Sequence, residues 1–347
     1  MKSIRVELGD RSYTINFGAT PEALAPKKTL LVTDSNVDDL YRKQLIDMVE
    51  PVDIYVIPAG EESKNAGIFI DICRRAASLH LGRDCRFAAA GGGVTGDLTG
   101  FAAACYLRGV PFIQIPTSLL AMVDSSVGGK TGIDIPEGKN LIGAFHQPQS
   151  VTINTKFLAT LPARELANGL AEVVKTAAIR DEKFFKFLEG NASKLTDTGN
   201  TELFDQIVRR CCEIKSQVVS CDEKESGLRA ILNYGHTFAH PIETLSNYTV
   251  SHGEAVSVGM ECAGRLAVKL GLWSQNEYLR QAALLDALKL PRNIPENIKS
   301  DEVIELMKSD KKNRNGKITF VLPVATGDVR VISDVSEDIL KQILAER

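Results

Sequence analysis

The sequence predicts an α/β, Rossmann-like parallel sheet in its N-terminal part, followed by a mainly α-helical C-terminal part. Three observations carry that expectation. Short apolar runs alternate with helical periodicity up to about residue 157. One run empties into a glycine-rich turn, Gly91-Gly92-Gly93-Val94-Thr95-Gly96. Beyond Phe157 the β-branched runs vanish and helical patterns take over. Strands that alternate with helices favour a parallel sheet with right-handed crossovers. At 347 residues the chain suits about two domains, expected at 1–157 (α/β) and 158–347 (mainly helical).

The elements follow in order. The N-terminal stretch MKSIRVELGDRSYTI alternates like a strand. Thr29–Thr33 is a short buried strand ending at Asp34, and Ile54–Ile57 is another, closed by Pro58-Ala59-Gly60. Arg86–Ala90 runs into the glycines, and Pro111–Ile115 ends at Pro116. Ligands of parallel sheets bind beyond the carboxyl ends of the strands. Asp34, Gly60, Gly91 and Thr117 are therefore candidates for one crevice. Segments 163–180, 201–221, 253–270 and 276–288 have helical periodicity. Lys317–Leu322 and Asp328–Ile332 read as a hairpin before a final helix.

Composition narrows the function classes. A formal charge of −3 argues against a nucleic-acid or membrane-surface partner. Seven cysteines with no CxxC pair suggest no disulfide framework. The N-terminus has no apolar signal core, and no stretch reaches the roughly 18 apolar residues a membrane span needs. The expectation is a cytoplasmic protein.

The glycine turn satisfies GxGxxG between a strand and a helix expected over Asp97–Leu107. Such glycines let the backbone approach a pyrophosphate, and a helix N-terminus adds free N–H groups. The acid of the ordinary fingerprint is missing after the next strand. It is found on an earlier strand end, at Asp34 with Asn36 nearby, and Glu61 and Lys64 follow Gly60. The strand order is therefore expected to differ from the usual wiring. A second loop, Asp124-Ser-Ser-Val-Gly-Gly-Lys130-Thr131, nearly reads as a phosphate-binding Walker motif. It begins with Asp124 rather than Gly and no strand feeds it, so an ATPase is rejected, although Lys130 still suits an anionic oxygen.

Three of the five histidines, His236, His240 and His252, fall within 17 residues. Arg229, Asn233, His236, His240 and Glu243 make one stripe at helical spacing. Ser251-His252-Gly253-Glu254 has the form of a capping box, which places His252 in the first turn of a helix. Glu165, Asn168, Glu172 and Lys175 share a face of an earlier helix; alone, that pattern would mean a solvated surface. A catalytic zinc takes three protein ligands from nitrogen and carboxylate donors. Glu172, His236, His240 and His252 thus exceed the need by one, and a surplus histidine could move a proton. Arg108, Lys130, Lys139, Lys175, Lys215, Arg229 and Lys311-Lys312 supply cations suited to a substrate carrying carboxylate and phosphate.

Long motifs in this order resemble the 3-dehydroquinate synthase family. They are Gly91–Phe101, Val123–Thr131, Gly138–Ala144, Gly169–Lys175, Leu232–Phe238 and His252–Ala255. The resemblance implies zinc or cobalt held by Glu172, His236 and His252, with His240 left for substrate or proton handling. It implies NAD at Asp34, Asn36, Glu61, Lys64, Gly92, Gly93, Val94, Asp97, Thr117, Ser118, Asp124, Lys139, Thr160 and Leu161. It implies substrate contacts at Asp124, Arg108, Lys130, Asn140, Lys175, Lys215, Arg229, Asn233, His240 and one of Lys311 or Lys312. The implied substrate is a sugar phosphate, 3-deoxy-D-arabino-heptulosonate 7-phosphate, cyclised with loss of phosphate by a homodimer.

Ala239 and Pro241 replace the Gly and Ala usual in the family. Pro241 removes a donor and clashes with the carbonyl four residues back, so a kink or break is expected at His240. Other sugar phosphate cyclases, and metal-dependent polyol dehydrogenases, are the alternative enzymes. A catalytically dead metal- and nucleotide-binding regulator is the alternative outside catalysis.

Overall fold

The computed structural model describes residues 3–18, 28–309 and 318–346. In chain order the first elements are β1 (Ser3–Val6), β2 (Tyr13–Phe17), β3 (Thr29–Asp34), α1 (Ser35–Val49), β4 (Asp53–Ile57) and α2 (Ala66–Ser78). Next come β5 (Arg86–Gly91), α3 (Gly93–Cys105), β6 (Phe112–Pro116), β7 (Lys130–Ile135), β8 (Gly138–Phe145) and β9 (Ser150–Ile153). Then follow α4 (Ala163–Arg180), α5 (Glu182–Asn191), α6 (Thr201–Cys221), α7 (His236–Leu245) and α8 (His252–Lys269). The last are α9 (Gln275–Ala287), α10 (Ser300–Ser309), β10 (Thr319–Ala325), β11 (Asp328–Ser333) and α11 (Glu337–Ala345). The chain forms two compact units, Met1–Leu161 with Thr201–Lys224, and Pro162–Asn200 with Glu225–Arg347.

In the first unit, seven strands among the described residues form a sheet in the order β1-β2-β9-β6-β5-β3-β4. Every pairing is parallel except β1 with β2. The chain leaves β3 for β4 on one side and returns to β5 on the other, so the winding reverses between β3 and β5. A crevice opens at such a switch point, beyond the strands' carboxyl ends. Leu30, Val32, Phe87 and Phe112 pack with Ile72 and Ala76 of α2 and with Leu98, Phe101 and Ala102 of α3. Strands covered on both faces read as continuous apolar runs, which is why β3 and β5 stand out in the sequence.

Two expectations are corrected here. The N-terminal stretch is two strands, because Gly9–Arg11 turns the chain back on itself. The glycine turn is shorter than expected: α3 starts at Gly93 and ends at Cys105, not Asp97–Leu107. Glycine is a poor helix former, but here it buys proximity. A Cβ at Gly96 would lie 2.7 Å from Gln114 Oε1, and one at Gly100 2.4 Å from the Thr131 methyl.

In the second unit, α4 and α8 are buried along most of their length. The β10–β11 hairpin and α11 close the chain as expected, with the first strand shifted to Thr319–Ala325. Among the described residues, no helix is long and apolar enough to cross a membrane.

Candidate active site and metal centre

The switch point of the first unit gathers the strand ends that the sequence singled out. Asp34 caps α1, Oδ1 accepting the N–H groups of Asn36 and Val37 at 3.1 Å, while Oδ2 accepts the Thr95 hydroxyl at 3.3 Å. That oxygen would lie 2.9 Å from a Cβ at Gly91, so the acid sits directly against the glycine turn. Thr117 N–H donates to the Gly91 carbonyl at 2.9 Å. Ala59 N–H donates to Ser35 Oγ at 3.2 Å and draws the Gly60 turn to the same end. Gly92, Gly93 and Val94 open α3, with Ser118 and Ser125 as the nearest side chains to the first two.

Charged candidates in this unit meet in pairs. Lys64, 5% exposed, reaches Asp97 at 2.6 Å. Burial pulls the Lys64 pKa down, but Asp97 and Glu61 outweigh it and hold the ammonium charged. Lys139 stands 3.3 Å from Glu61. Lys215 donates to both the carboxylate (2.5 Å) and the carbonyl (2.6 Å) of Asp124, which lies in a π-turn over Ala121–Ser125. Asn140, with φ 53°, donates its N–H to Asp134 at 2.7 Å. The loop after Asp124 feeds β7 at Lys130, not a helix, so the Walker reading fails structurally as well. Thr160 shares a hydrogen bond with Tyr41 at 2.7 Å, and Leu161 follows it. Arg108 lies outside these pairs, exposed, in left-handed backbone with φ 67° beside Leu107.

The second unit holds the metal candidates. Glu172 is fully buried on α4, and its face is not the solvated surface its polar spacing suggests: Asn168 and Lys175 are buried too. Glu172 Oε2 is ion-paired with Lys175. Oε1 takes no hydrogen bond and faces Nε2 of His252 at 3.4 Å and Nε2 of His236 at 3.7 Å. The three ligand atoms lie within 4.8 Å of one another. Zinc bonds of about 2.0–2.1 Å in tetrahedral array set ligand atoms roughly 3.3 Å apart. The cluster therefore fits a divalent metal after small adjustments.

The outer imidazole nitrogens are already engaged. His236 Nδ1 meets the Tyr234 carbonyl at 3.1 Å, and His252 Nδ1 meets Glu243 Oε2 at 3.4 Å. Metal-binding histidines are oriented this way, with the far N–H on a carbonyl or carboxylate and the near lone pair toward the metal. Burial would lower the His252 pKa, but Glu172 and Glu243 on either side raise it to about 10. His240 lies next to the cluster, its ring edge-on to His236 at 5.4 Å, and is not one of its three members.

Local sequence places these groups. Ser251 and Glu254 form the expected capping box, with Ser251 N–H on Glu254 at 2.8 Å, and His252 opens α8. A Cβ at Gly253 would lie 2.4 Å from the Asn168 backbone, so only glycine lets α8 meet α4 closely enough for His252 to face Glu172. The stripe from Arg229 to Glu243 is not one helix. Leu228–Asn233 is a 3₁₀ segment, and Gly235 (φ 81°) turns the chain before α7. Arg229 is 2% exposed, and Asn233 donates to Glu225 at 2.6 Å.

Of the kink or break expected at His240, the break is absent: α7 runs on through Pro241 to Leu245. Burial of Phe238, Ala239, Pro241 and Ile242 outweighs the propensity cost, about 3 kcal/mol for an interior proline. Lys311 and Lys312 lie outside the described residues. Glu243 and Glu225 were not read as site residues; Glu243's place on the histidine stripe was the available signal.

Family models named for the 3-dehydroquinate synthase N-terminal and C-terminal parts match residues 54–168 and 169–313. A 3-dehydroquinate synthase of Desulforamulus reducens is 46% identical over 360 residues, covering 100% of both chains. The chain belongs to the 3-dehydroquinate synthase family. Among solved structures, the 2-epi-5-epi-valiolone synthase of Streptomyces hygroscopicus with NAD+ and Zn2+ bound is 30% identical. It has a TM-score of 0.89, covering 96% of this chain and 95% of its own. A 2-deoxy-scyllo-inosose synthase complexed with carbaglucose-6-phosphate, NAD+ and Co2+ is 25% identical, with a TM-score of 0.90 and 99% of each chain covered.

Proposed function

We propose that the chain is a 3-dehydroquinate synthase, converting 3-deoxy-D-arabino-heptulosonate 7-phosphate to 3-dehydroquinate and phosphate, with NAD and a divalent metal as cofactors. The observation that carries the reading is the convergence of Glu172 Oε1 with Nε2 of His236 and His252, in a chain of this family. When bound, NAD takes up and returns a hydride, and the metal polarises a substrate hydroxyl.

The chain's own residues supply the rest. In the first unit the N-terminus of α3 offers N–H groups and a positive dipole end to the pyrophosphate of NAD, with Asp34 and Asn36 toward a ribose. Lys130 and the Asp124–Lys215 pair suit the substrate's anionic and hydroxyl oxygens. In the second unit Lys175 balances the charge of Glu172. Arg229 and Asn233 suit carboxylate and phosphate oxygens, where a guanidinium gives two parallel donors. His240 would hold or move a proton at its imidazole. A homodimer in the cytoplasm completes the proposal, resting on the resemblance; sedimentation velocity at micromolar concentration is expected to show twice the chain mass.

The test is phosphate release from the heptulosonate phosphate, with and without chelator. Turnover that stops on metal removal, returns with zinc or cobalt, and accumulates no NADH is the expected result. Absence of turnover with metal and NAD supplied would sink the assignment. A second reading, cyclisation of a different sugar phosphate, is favoured by the likeness to the valiolone and inosose synthases. Faster turnover of a sugar phosphate lacking the carboxylate would select it.

A further inference from the structure

The His252 imidazole lies between two carboxylates. Glu172 Oε1 faces Nε2 and Glu243 Oε2 faces Nδ1, each at 3.4 Å. Only Glu172 belongs to the ligand-atom cluster. Glu243 comes from α7, which also carries His236, whereas His252 opens α8, so this contact ties the two histidine-bearing helices together behind the cluster. Glu243 is 5% exposed, and a carboxylate that deep is costly unless it is hydrogen-bonded or paired. His236 Nδ1 meets a main-chain carbonyl, and His252 Nδ1 meets a carboxylate. A charged acceptor gives the stronger bond and raises the basicity of the opposite nitrogen.

We infer that Glu243 is a positioning residue for His252. It accepts the Nδ1–H, fixes the tautomer whose Nε2 lone pair is turned toward the cluster, and raises the donor strength of His252. The inference rests on the proposed function only in taking the cluster as a metal centre; it does not depend on which sugar phosphate is cyclised.

Two variants separate geometry from charge. Glu243→Gln keeps the size and one accepting oxygen but loses the charge, and Glu243→Ala loses both. Cobalt(II) is the probe, its dissociation constant measured by competition with a chromogenic chelator and its coordination by the visible absorption of the bound ion. The expected result is about tenfold weaker binding for Glu243→Gln and up to about a hundredfold for Glu243→Ala, each with a shifted cobalt spectrum. NAD affinity of Glu243→Gln is expected to match the parent, which a general loss of the fold would not allow. Cobalt affinity and spectrum within twofold of the parent in Glu243→Gln and in any soluble Glu243→Ala would overturn the inference. If Glu243→Ala does not fold, the Gln variant decides alone. A parent that binds no cobalt would remove the metal centre and this inference together; a parent that binds it beside indifferent variants removes only the role of Glu243.

Discussion

The two units solve the problem of buried charge in opposite ways. In the first, charged candidates come matched: Lys64 with Asp97, Lys215 with Asp124, Lys139 with Glu61. Its binding features are backbone ones, a glycine turn and a helix N-terminus at the sheet switch point. In the second, a fully buried acid faces two imidazole nitrogens and Oε1 takes no hydrogen bond. In the first unit each of these candidates has an oppositely charged partner, and in the second Glu172, His236 and His252 converge on one point. That difference marks the Glu172–His236–His252 cluster as the candidate metal site.

The largest break of this contrast is Glu172→Gln. It replaces a ligand with a poorer one and leaves Lys175, 1% exposed, without its carboxylate. Several kcal/mol of metal-dependent charge stabilisation would go with it, so phosphate release is expected to fall about a thousandfold. Metal content by atomic emission is expected to drop to background. A variant that keeps its metal and a tenth of its turnover would refute the assignment of Glu172.

The converse experiment sharpens the first unit. Lys64→Ala strands Asp97 in a largely buried place, and removing one partner of such a pair costs about 3 kcal/mol or more. Lys64→Met with Asp97→Leu removes both charges and is expected to recover most of that loss in urea denaturation. Metal affinity is expected to be unchanged in both. A double variant as unstable as the single one would mean that the pair does more than neutralise itself.

What the sequence made legible follows the same division. Buried parallel strands announce themselves as apolar runs stopped by Gly or Pro, so Leu30–Val32 and Phe87–Ala90 were placed within a residue or two. The S-x-x-E signal put His252 in the first turn of α8 because a capping box is local chemistry. Three features depended on tertiary packing and were hidden. Glycines in α3 read as loop because their use, close approach to Gln114 and Thr131, lies across the fold. The Arg229–Glu243 stripe looked continuous because spacing does not register the left-handed turn at Gly235. Pro241 read as a kink or break, and the continuation of α7 through it was hidden because propensity ignores the burial that holds the helix together.

Gly253→Ala tests how the second unit brings this cluster together. The added Cβ would fall 2.4 Å from the Cα and carbonyl oxygen of Asn168, so backbone must move. Overpacking of this kind costs about 1–3 kcal/mol. Because His252 is the adjacent residue, cobalt affinity is expected to fall at least tenfold while NAD binding is kept. Loss of stability without loss of metal affinity would show that α8 can shift without carrying His252 off the cluster.

The smallest effect is expected where the first unit's matched charges lie nearest solvent. Arg11 grips Glu223 through Nε at 3.2 Å and Nη2 at 2.7 Å, and Gln147 adds a donor at 2.9 Å. The Arg11 hydrogen bonds, and after them Gln147, hold the Glu223 carboxyl below the ordinary carboxylate range, although partial burial pushes the other way. A carboxyl whose folded pKa is depressed stabilises the fold above its unfolded pKa of about 4.3, and that stabilisation fades as pH falls through the folded value. Arg11 is 62% exposed, so solvent screening keeps the contribution small. Glu223→Gln is therefore expected to cost a little stability in urea denaturation at pH 7, and less at acid pH as the parent's own carboxylate is protonated. Equal losses at both pH values would assign the contact to packing. The first unit would then owe less to matched charge than its ion pairs suggest.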